Sequence, residues 1–452
     1  MTVSSELRET FCSGVTRAYQ WRINQLKALK TLLTEKEEHF VTALKTDLGK
    51  CYSESVIFEM DLLVAEINNT IDNLQSWMKP EKVTRSMLYK AMNASCYIHK
   101  EPFGVALIIG AWNYPVQLLL LPMVGAIAAG NCAVIKPSEV APATASAIAE
   151  LIPQYLDQKA IRVVCGGVPE TTELLKENFD IIFYTGNSTV ARIVMEAAAK
   201  NLTPVLLELG GKSPVFVDES VDLNLASHRI AWGKFANCGQ TCVAPDYIMA
   251  LPSVRDQLVL SLKNAITEFY GEDPHASSDY GRIVNERHFK RVIKFLEDAD
   301  VIHGGNNEES DRYIAPTILG NVTTESNCMK EEIFGPVLPI MTVASESDAL
   351  SFINSRNKPL ALYLFSNKKD TLDRFKKETS SGALLVNDVM IHGGCMGLPF
   401  GVSLIRRPVS KEAAPCLNLE IQCCAIHLIL TRNFLGPDGL SLARAPPALL
   451  CK

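Results

Sequence analysis

Apolar residues recur at helical spacing near the start of the chain: Leu26, Leu29, Leu32 and Leu33, then Phe40, Leu44 and Leu48. Charged residues fill the intervals, so residues 4–48 predict an amphipathic helical region, with more helix to about Trp77. Lys79 and Pro80 punctuate its end, and residues 83–100 predict an extended excursion because their helical periodicity is weak. From Phe103 the pattern changes to short apolar runs separated by helical stretches. Val105–Ile109 predicts a buried strand followed by a helix over 116–129. A second strand over 133–136 precedes an alanine-rich helix over 141–150, and a third covers 161–165. A fourth, over 181–185, turns at Gly186 and Asn187 into a helix over 190–200, and Val205–Leu209 is a fifth. Such alternation predicts a parallel sheet covered on both faces, with ligands at the carboxyl ends of its strands. A second α/β unit begins near Gly210 and runs to about Met390. Its predicted strands are 215–217, 337–340, Ala361–Phe365 and Ala383–Val386, with a helix ending at Phe235.

A chain of 452 residues is too long for one ordinary core and implies two large lobes. With 47% hydrophobic and 21% charged residues it has the composition of a folded globular protein rather than a disordered one. A net charge of −6 and the lack of a long basic run argue against nucleic acid as a partner. The 13 cysteines are odd in number and form no spaced framework, which fits a reduced, cytoplasmic setting. With no CxxC pair and the eight histidines scattered, no metal site is expected. The opening MTVSSELRET has no apolar run, so no secretory signal is expected. The apolar stretches 116–129 and 423–430 are shorter than the ~20 residues a membrane-spanning helix needs.

Several residues sit where chemistry is expected. Cys242 follows the helix LASHRIAWGKFA through a small, polar loop, where a thiol near main-chain N–H groups is either a reactive thiolate or a structural cysteine. Cys238, in the same loop, competes with it, and spacing alone does not separate the two. Asn113, just after the first strand, is either an oxyanion donor or a helix cap. Glu208 ends the fifth strand as a general base or a salt-bridged terminus, and Gly210 and Gly211 follow as a ligand approach or a hinge. Lys136 and Glu139 leave the second strand together, suited to ribose hydroxyls or to a surface ion pair. Gly186 opens a helix N-terminus that favours a pyrophosphate, although no GxGxxG fingerprint follows any strand.

Together these motifs resemble the aldehyde dehydrogenase superfamily, and within it the class 3 members, including fatty aldehyde dehydrogenase. The resemblance runs from about residue 5 to Gly401 through IIGAWNYP (108–115), GAIAAGN (125–131), IKPSE (135–139), YTGN (184–187), LELGGKSP (207–214), GQTCVAPDY (239–247), YIAPTIL (313–319), EEIFGPVLPI (331–340), KPLALY (358–363) and LPFG (398–401). It implies an α/β fold with a Rossmann-like parallel-sheet cofactor domain, an α/β catalytic domain and a small β bridging element. The implied boundaries are 1–80 and 101–209 for NAD(P) binding, 81–100 for bridging and oligomerisation, 210–401 for catalysis, and 402–452 as a divergent tail. It also implies oxidation of medium- or long-chain aliphatic or aromatic aldehydes to carboxylic acids with NAD or NADP, in lipid metabolism, by a homodimer. Cys242 matches the nucleophile, which forms a thiohemiacetal and then a thioester. Asn113 matches the oxyanion donor and Glu208 the base, with Glu332 a second carboxylate near the nicotinamide. Lys136 and Glu139 match contacts to the adenosine ribose, and Glu332 and Phe334 contacts to the nicotinamide ribose. Gly186, Asn187 and Val190 match the cofactor-binding turn, where Ala191 replaces a usual glycine. Asn387 falls in the ND segment near the substrate pocket.

After Gly401 the family continues with a second glycine and a GVGxSGMG stretch, whereas residues 402–452 resemble none of it. The tail is proline-punctuated, and Cys451 is second from its end, so no prenylation signal is expected. Palmitoylation at Cys423 or Cys424 would give peripheral membrane association. Three functions follow as expectations. The first is an active aldehyde oxidiser. The second is a folded, catalytically impaired variant acting as an interaction or regulatory subunit. The third is a thiol esterase that uses Cys242 without cofactor.

Overall fold

A computed structural model describes residues 2–82, 96–297, 299–395, 398, 400–401 and 432–437. These fall into two compact units, the first built from residues 2–40, 57–208 and 432–437, the second from 41–56 and 209–401.

The N-terminal region forms the helices Val3–Cys12, Tyr19–Glu35, Glu37–Leu48 and Leu62–Trp77. The expected leucine stripe is its inner face, with Leu26, Leu29, Leu32 and Leu33 at most 1% exposed. One continuous helical region was not a physical option: Gly14 adopts φ 80° and ends the first helix, since only glycine takes that conformation cheaply. A short helix, Tyr52–Ser55, then runs into a π-helical turn, Val56–Asp61, a geometry common at functional sites.

Strands β1 (Glu81–Lys82) and β2 (Cys96–Glu101) pair antiparallel, while residues 83–95 of the expected excursion lie outside the described residues. The first unit's main sheet contains β3 (Val105–Ile109), β4 (Cys132–Lys136), β5 (Ile161–Val163), β6 (Ile181–Gly186) and β7 (Val205–Leu209), ordered β5-β4-β3-β6-β7. β3 pairs in parallel with β4 and β6, and β4 with β5. Every residue of β3 and β4 is buried, which is why both read as unbroken apolar runs. The helix after β6 starts at Ser188, two residues before its expected start, because the Asn187 side chain accepts the N–H groups of Thr189 and Val190, each at 3.0 Å.

In the second unit, β8 (Pro214–Val217), β9 (Tyr247–Ala250) and β10 (Asp300–His303) are followed by the short pair β11 (Asn307–Glu308) and β12 (Tyr313–Ile314). Then come β13 (Thr317–Gly320), β14 (Val337–Thr342), β15 (Ala361–Phe365) and β16 (Ala383–Val386). The large sheet is ordered β10-β13-β14-β9-β8-β15-β16 and is parallel except for β10 against β13. Its centre is sealed: Val215, Phe216, Val217, Ile248, Met249, Tyr363 and Leu364 are at most 1% exposed.

The divergent tail contributes β17 (Arg432–Pro437), which pairs antiparallel with β2 from Arg432 opposite Glu101 to Pro437 opposite Cys96. The rest of the tail lies outside the described residues. Among the described residues no helix is long and apolar enough to cross a membrane.

Candidate active site

The loop that carries the two candidate cysteines begins where the helix Leu223–Phe235 ends. Asp222 caps the start of that helix, accepting the N–H groups of Asn224 at 2.9 Å and Leu225 at 3.2 Å. Beyond its end, Asn237 (φ 51°), Cys238 (φ 54°) and Gly239 (φ 72°) are consecutive left-handed residues. Each non-glycine in that region costs about 1–3 kcal/mol and persists only where the surroundings fix it. Here Gln240 does much of the fixing. Its Nε2 donates to the carbonyls of Asn237 and Arg282, both at 3.0 Å, and its Oε1 accepts Val284 N–H at 2.9 Å. Asn237 Nδ2 closes the turn by donating to the Gln240 carbonyl at 3.2 Å. Gly239 needs to be glycine, because a Cβ there would collide with the Gly335 carbonyl.

The two cysteines of this loop, inseparable by spacing, have different environments. Cys238 is fully buried, its Sγ 3.6 Å from the Tyr280 hydroxyl, and burial pushes its thiol up to about 12. It is an inert packed thiol. Cys242 is only half-buried, four residues along the fixed loop. Burial therefore distinguishes the residues where spacing did not.

A charged cluster lies within the same unit. The Lys212 ammonium pairs with Asp246 and donates to the carbonyls of Cys328 at 2.7 Å and Glu331 at 2.9 Å. Asp246 in turn accepts Ile333 N–H at 2.9 Å, and Arg291 binds the carbonyls of Glu332 at 3.2 Å and Ile333 at 2.7 Å. These bonds fix the EEIFGP segment, in which Phe334 is left-handed at φ 47°. The Glu332 carboxylate lies over Gly210, where a side chain would collide with it. Burial and the nearby Asp246 charge push Glu332 up to about 8, against the hydrogen bond from Gly211. Sequence reasoning singled out Glu332 but missed Lys212 and Asp246, although both lie in the quoted motifs GGKSP and PDY. It also missed Lys234, 1% exposed, whose ammonium burial pulls down to about 8. Asn387 spends its side chain on structure: Oδ1 accepts Ser366 N–H at 3.0 Å and Nδ2 donates to Asn367 at 2.9 Å.

In the first unit the remaining singled-out residues sit at the carboxyl ends of one parallel sheet. Asn113, 3% exposed, lies in the loop after β3; Lys136 ends β4; Gly186 ends β6; Glu208 is the penultimate residue of β7. Glu208 is partly buried, and desolvation pushes its carboxyl up to about 7. Lys136 is 3% exposed and pairs with the exposed carboxylate of Glu139. Thr185 Oγ1, next to Gly186, is buried without a hydrogen-bond partner. Ala191 packs at 2% exposure, so the methyl in place of glycine is accommodated in the core. A cation and a carboxylate side by side offer one donor and one acceptor to a diol, and the helix N-terminus after Gly186 favours phosphate. The residues present fit a nicotinamide dinucleotide.

A family model described as the aldehyde dehydrogenase family matches residues 15–402. The chain is 53% identical over 394 residues to "Aldehyde dehydrogenase, dimeric NADP-preferring" of Rattus norvegicus, a match covering 87% of this chain and 86% of that protein. It is 50% identical over 395 residues to "Aldehyde dehydrogenase family 3 member A2" of the same organism, covering 87% and 81% of the two chains. Among solved structures, substrate-bound AldH of Staphylococcus aureus superposes with a TM-score of 0.86 at 43% identity, over 88% of this chain and 87% of that one. An aldehyde dehydrogenase of Mycobacterium tuberculosis complexed with NAD+ gives a TM-score of 0.74 at 28% identity, over 84% and 79%. With family motifs on the carboxyl ends of its parallel strands and this degree of identity along most of its length, the chain belongs to the aldehyde dehydrogenase family, within reach of its family 3 members.

Proposed function

We propose that Cys242 is the nucleophile through which this aldehyde dehydrogenase oxidises its substrate to a carboxylic acid with NAD or NADP. The observation that carries the assignment is the contrast within one loop: Cys238 is sealed in the core, and Cys242 is half-buried at the end of a rigid turn. In the proposed reaction the Cys242 thiolate attacks the aldehyde carbon, and the carbonyl electron pair moves to oxygen. The Asn113 side-chain amide and the Cys242 backbone N–H donate to that oxyanion as charge develops. Bound NAD(P)+ supplies the acceptor for the two electrons that leave the thiohemiacetal carbon. Glu208 then takes a proton from water, which attacks the resulting thioester and releases the acid and the Cys242 thiolate. A carboxyl pushed up to about 7 suits that task, since a base works best near the operating pH. Glu332, pushed up to about 8, is the competing base.

Lys136 and Glu139 would hold the adenosine ribose, Gly186, Asn187 and Val190 the pyrophosphate, and Glu332 and Phe334 the nicotinamide ribose. On this reading residues 1–80 and 101–209 serve the cofactor, 210–401 the chemistry, and 81–100 assembly. A relative named dimeric and NADP-preferring supports a homodimer that accepts NADP. The likeness to family 3 supports medium- or long-chain aliphatic or aromatic aldehydes, and the reduced cysteine pattern supports a cytoplasmic site. The test is formation of NADH or NADPH from hexanal or benzaldehyde by purified protein. Cys242→Ala is expected to abolish it and Cys238→Ala to preserve most of it; turnover by Cys242→Ala would refute the assignment.

A further inference from the structure

We infer that Glu54 is a positioning residue for the nucleophile loop, its carboxylate fixing the peptide at which the left-handed turn toward Cys242 begins. Both Glu54 oxygens lie 3.1 Å from the Asn237 nitrogen. That N–H is stranded by the loop's own geometry: helical bonding ends with Ala236 N–H on the Trp232 carbonyl, and the backbone then turns left-handed. Asn237 is 1% exposed, so water does not satisfy the donor. The carboxylate does, from a segment far away in sequence but in the same unit.

The local structure holds that carboxylate in place. Glu54 lies on the short helix Tyr52–Ser55, whose first turn is capped by Cys51 Sγ accepting the Glu54 N–H at 3.4 Å. On the far side of Asn237, the Gln240 N–H and side chain both bond its carbonyl, at 3.1 and 3.0 Å. Residue 237 is thus gripped at its amide by Glu54 and at its carbonyl by Gln240, and Cys242 follows two residues after Gln240. Burial pushes the Glu54 carboxyl up to about 7, opposed by the Asn237 N–H and the Lys50 charge. A protonated carboxyl still presents a carbonyl oxygen, so the grip depends on an acceptor at this reach rather than on a full charge. Glutamine supplies such an acceptor; aspartate carries the charge but falls one methylene short.

The inference rests on Cys242 being the nucleophile, and the experiment separates the two. Glu54→Ala, Glu54→Gln, Glu54→Asp and Cys242→Ala are compared by steady-state kinetics. Alkylation of Cys242 by iodoacetamide is followed in parallel by fragment mass spectrometry. Glu54→Ala is expected to lower kcat about tenfold with KM changed less than about twofold, and to slow alkylation of Cys242 in proportion, because small misplacements of a reacting group cost rate rather than binding. Glu54→Gln is expected to restore at least about half of both, with Glu54→Asp well below it. Wild-type kcat and alkylation in Glu54→Ala, with Cys242→Ala inactive, would overturn this inference and leave the nucleophile standing. Turnover by Cys242→Ala would remove both. If Glu54→Ala does not melt cooperatively, the order of the other two decides: glutamine above aspartate supports the positioning role, and aspartate equal to or above glutamine overturns it.

Discussion

The loop after β3 and the loop after the helix Leu223–Phe235 carry the proposed oxyanion donor and the proposed nucleophile, and they are built in opposite ways. Between Gly110 and Val116 no residue takes a positive φ, and the chain passes directly into the helix Gln117–Ala129. Glu59, fully buried, accepts the N–H groups of Val116 and Gln117 at 3.1 and 3.0 Å, so a carboxylate sits where a helix dipole favours one. Between Ala236 and Cys242, by contrast, three successive residues are left-handed; Glu54 accepts the Asn237 N–H and Gln240 donates to the Asn237 carbonyl, Gln240 being anchored in turn by the Arg282 carbonyl and the Val284 N–H. An amide that only has to donate is served by an unstrained strand–helix turn. A thiol that has to attack stands on a backbone that would relax if its neighbours let go.

Removing the reacting groups breaks that comparison most severely. Cys242→Ala is expected to lower aldehyde oxidation by at least about 10³-fold, as loss of a nucleophile does elsewhere, with cofactor binding by fluorescence unchanged. Glu208→Gln is expected to cost about 10²–10⁴-fold in kcat. The base works as the carboxylate, so wild-type kcat falls as pH drops through about 7, and that acidic limb should vanish in the variant. If Glu332→Gln removes the limb instead, the base is Glu332. Asn113→Ala is expected to lower kcat by about 10²–10³-fold with little change in KM, the signature of a donor used in the transition state.

The structural half of the comparison is sharpened by Gln240→Ala. It strands the Val284 N–H and the Arg282 carbonyl, while the Asn237 carbonyl keeps the backbone N–H of residue 240, at a cost of about 1–3 kcal/mol per buried group left unpaired, measurable as a lower Tm. The smallest expected effect concerns pH and stability. Glu208 and Glu332 are raised in the folded state, to about 7 and about 8, from an ordinary value of 4.5. The folded chain therefore binds more protons than the unfolded one across that window, and stability falls as pH rises from about 4.5 to about 8. Glu332→Gln should flatten that slope in thermal melts.

What the sequence revealed follows the same division. β3, β7, β15 and β16 were legible to the residue because strands in a covered parallel sheet are short apolar runs bounded by turn residues. β9 was not singled out, although Pro245 and Pro252 bracket its four residues. The cofactor turn was legible as Gly186 and Asn187, but the capping by Asn187 shifted the helix start. Asn237 and Gly239 are residue types that take left-handed backbone readily, but nothing local marks the Glu54 acceptor or the Lys212–Asp246 pair. Each joins residues far apart in the chain, and local periodicity does not encode such pairings. The proline-punctuated tail gave no hint of β17, whose partner is supplied by β2.

The central claim is covalent chemistry at one sulfur, and it is tested most directly by trapping. Protein mixed with NADP and hexanal, quenched in acid during the first turnover, is digested, and the peptide holding both loop cysteines is fragmented to locate any acyl group. The expected result is an acyl mass on Cys242 and none on Cys238, enriched in Glu208→Gln, where hydrolysis is slowed. Steady NADPH formation with Cys242 unmodified in that variant, or with the acyl group on Cys238, would contradict the account.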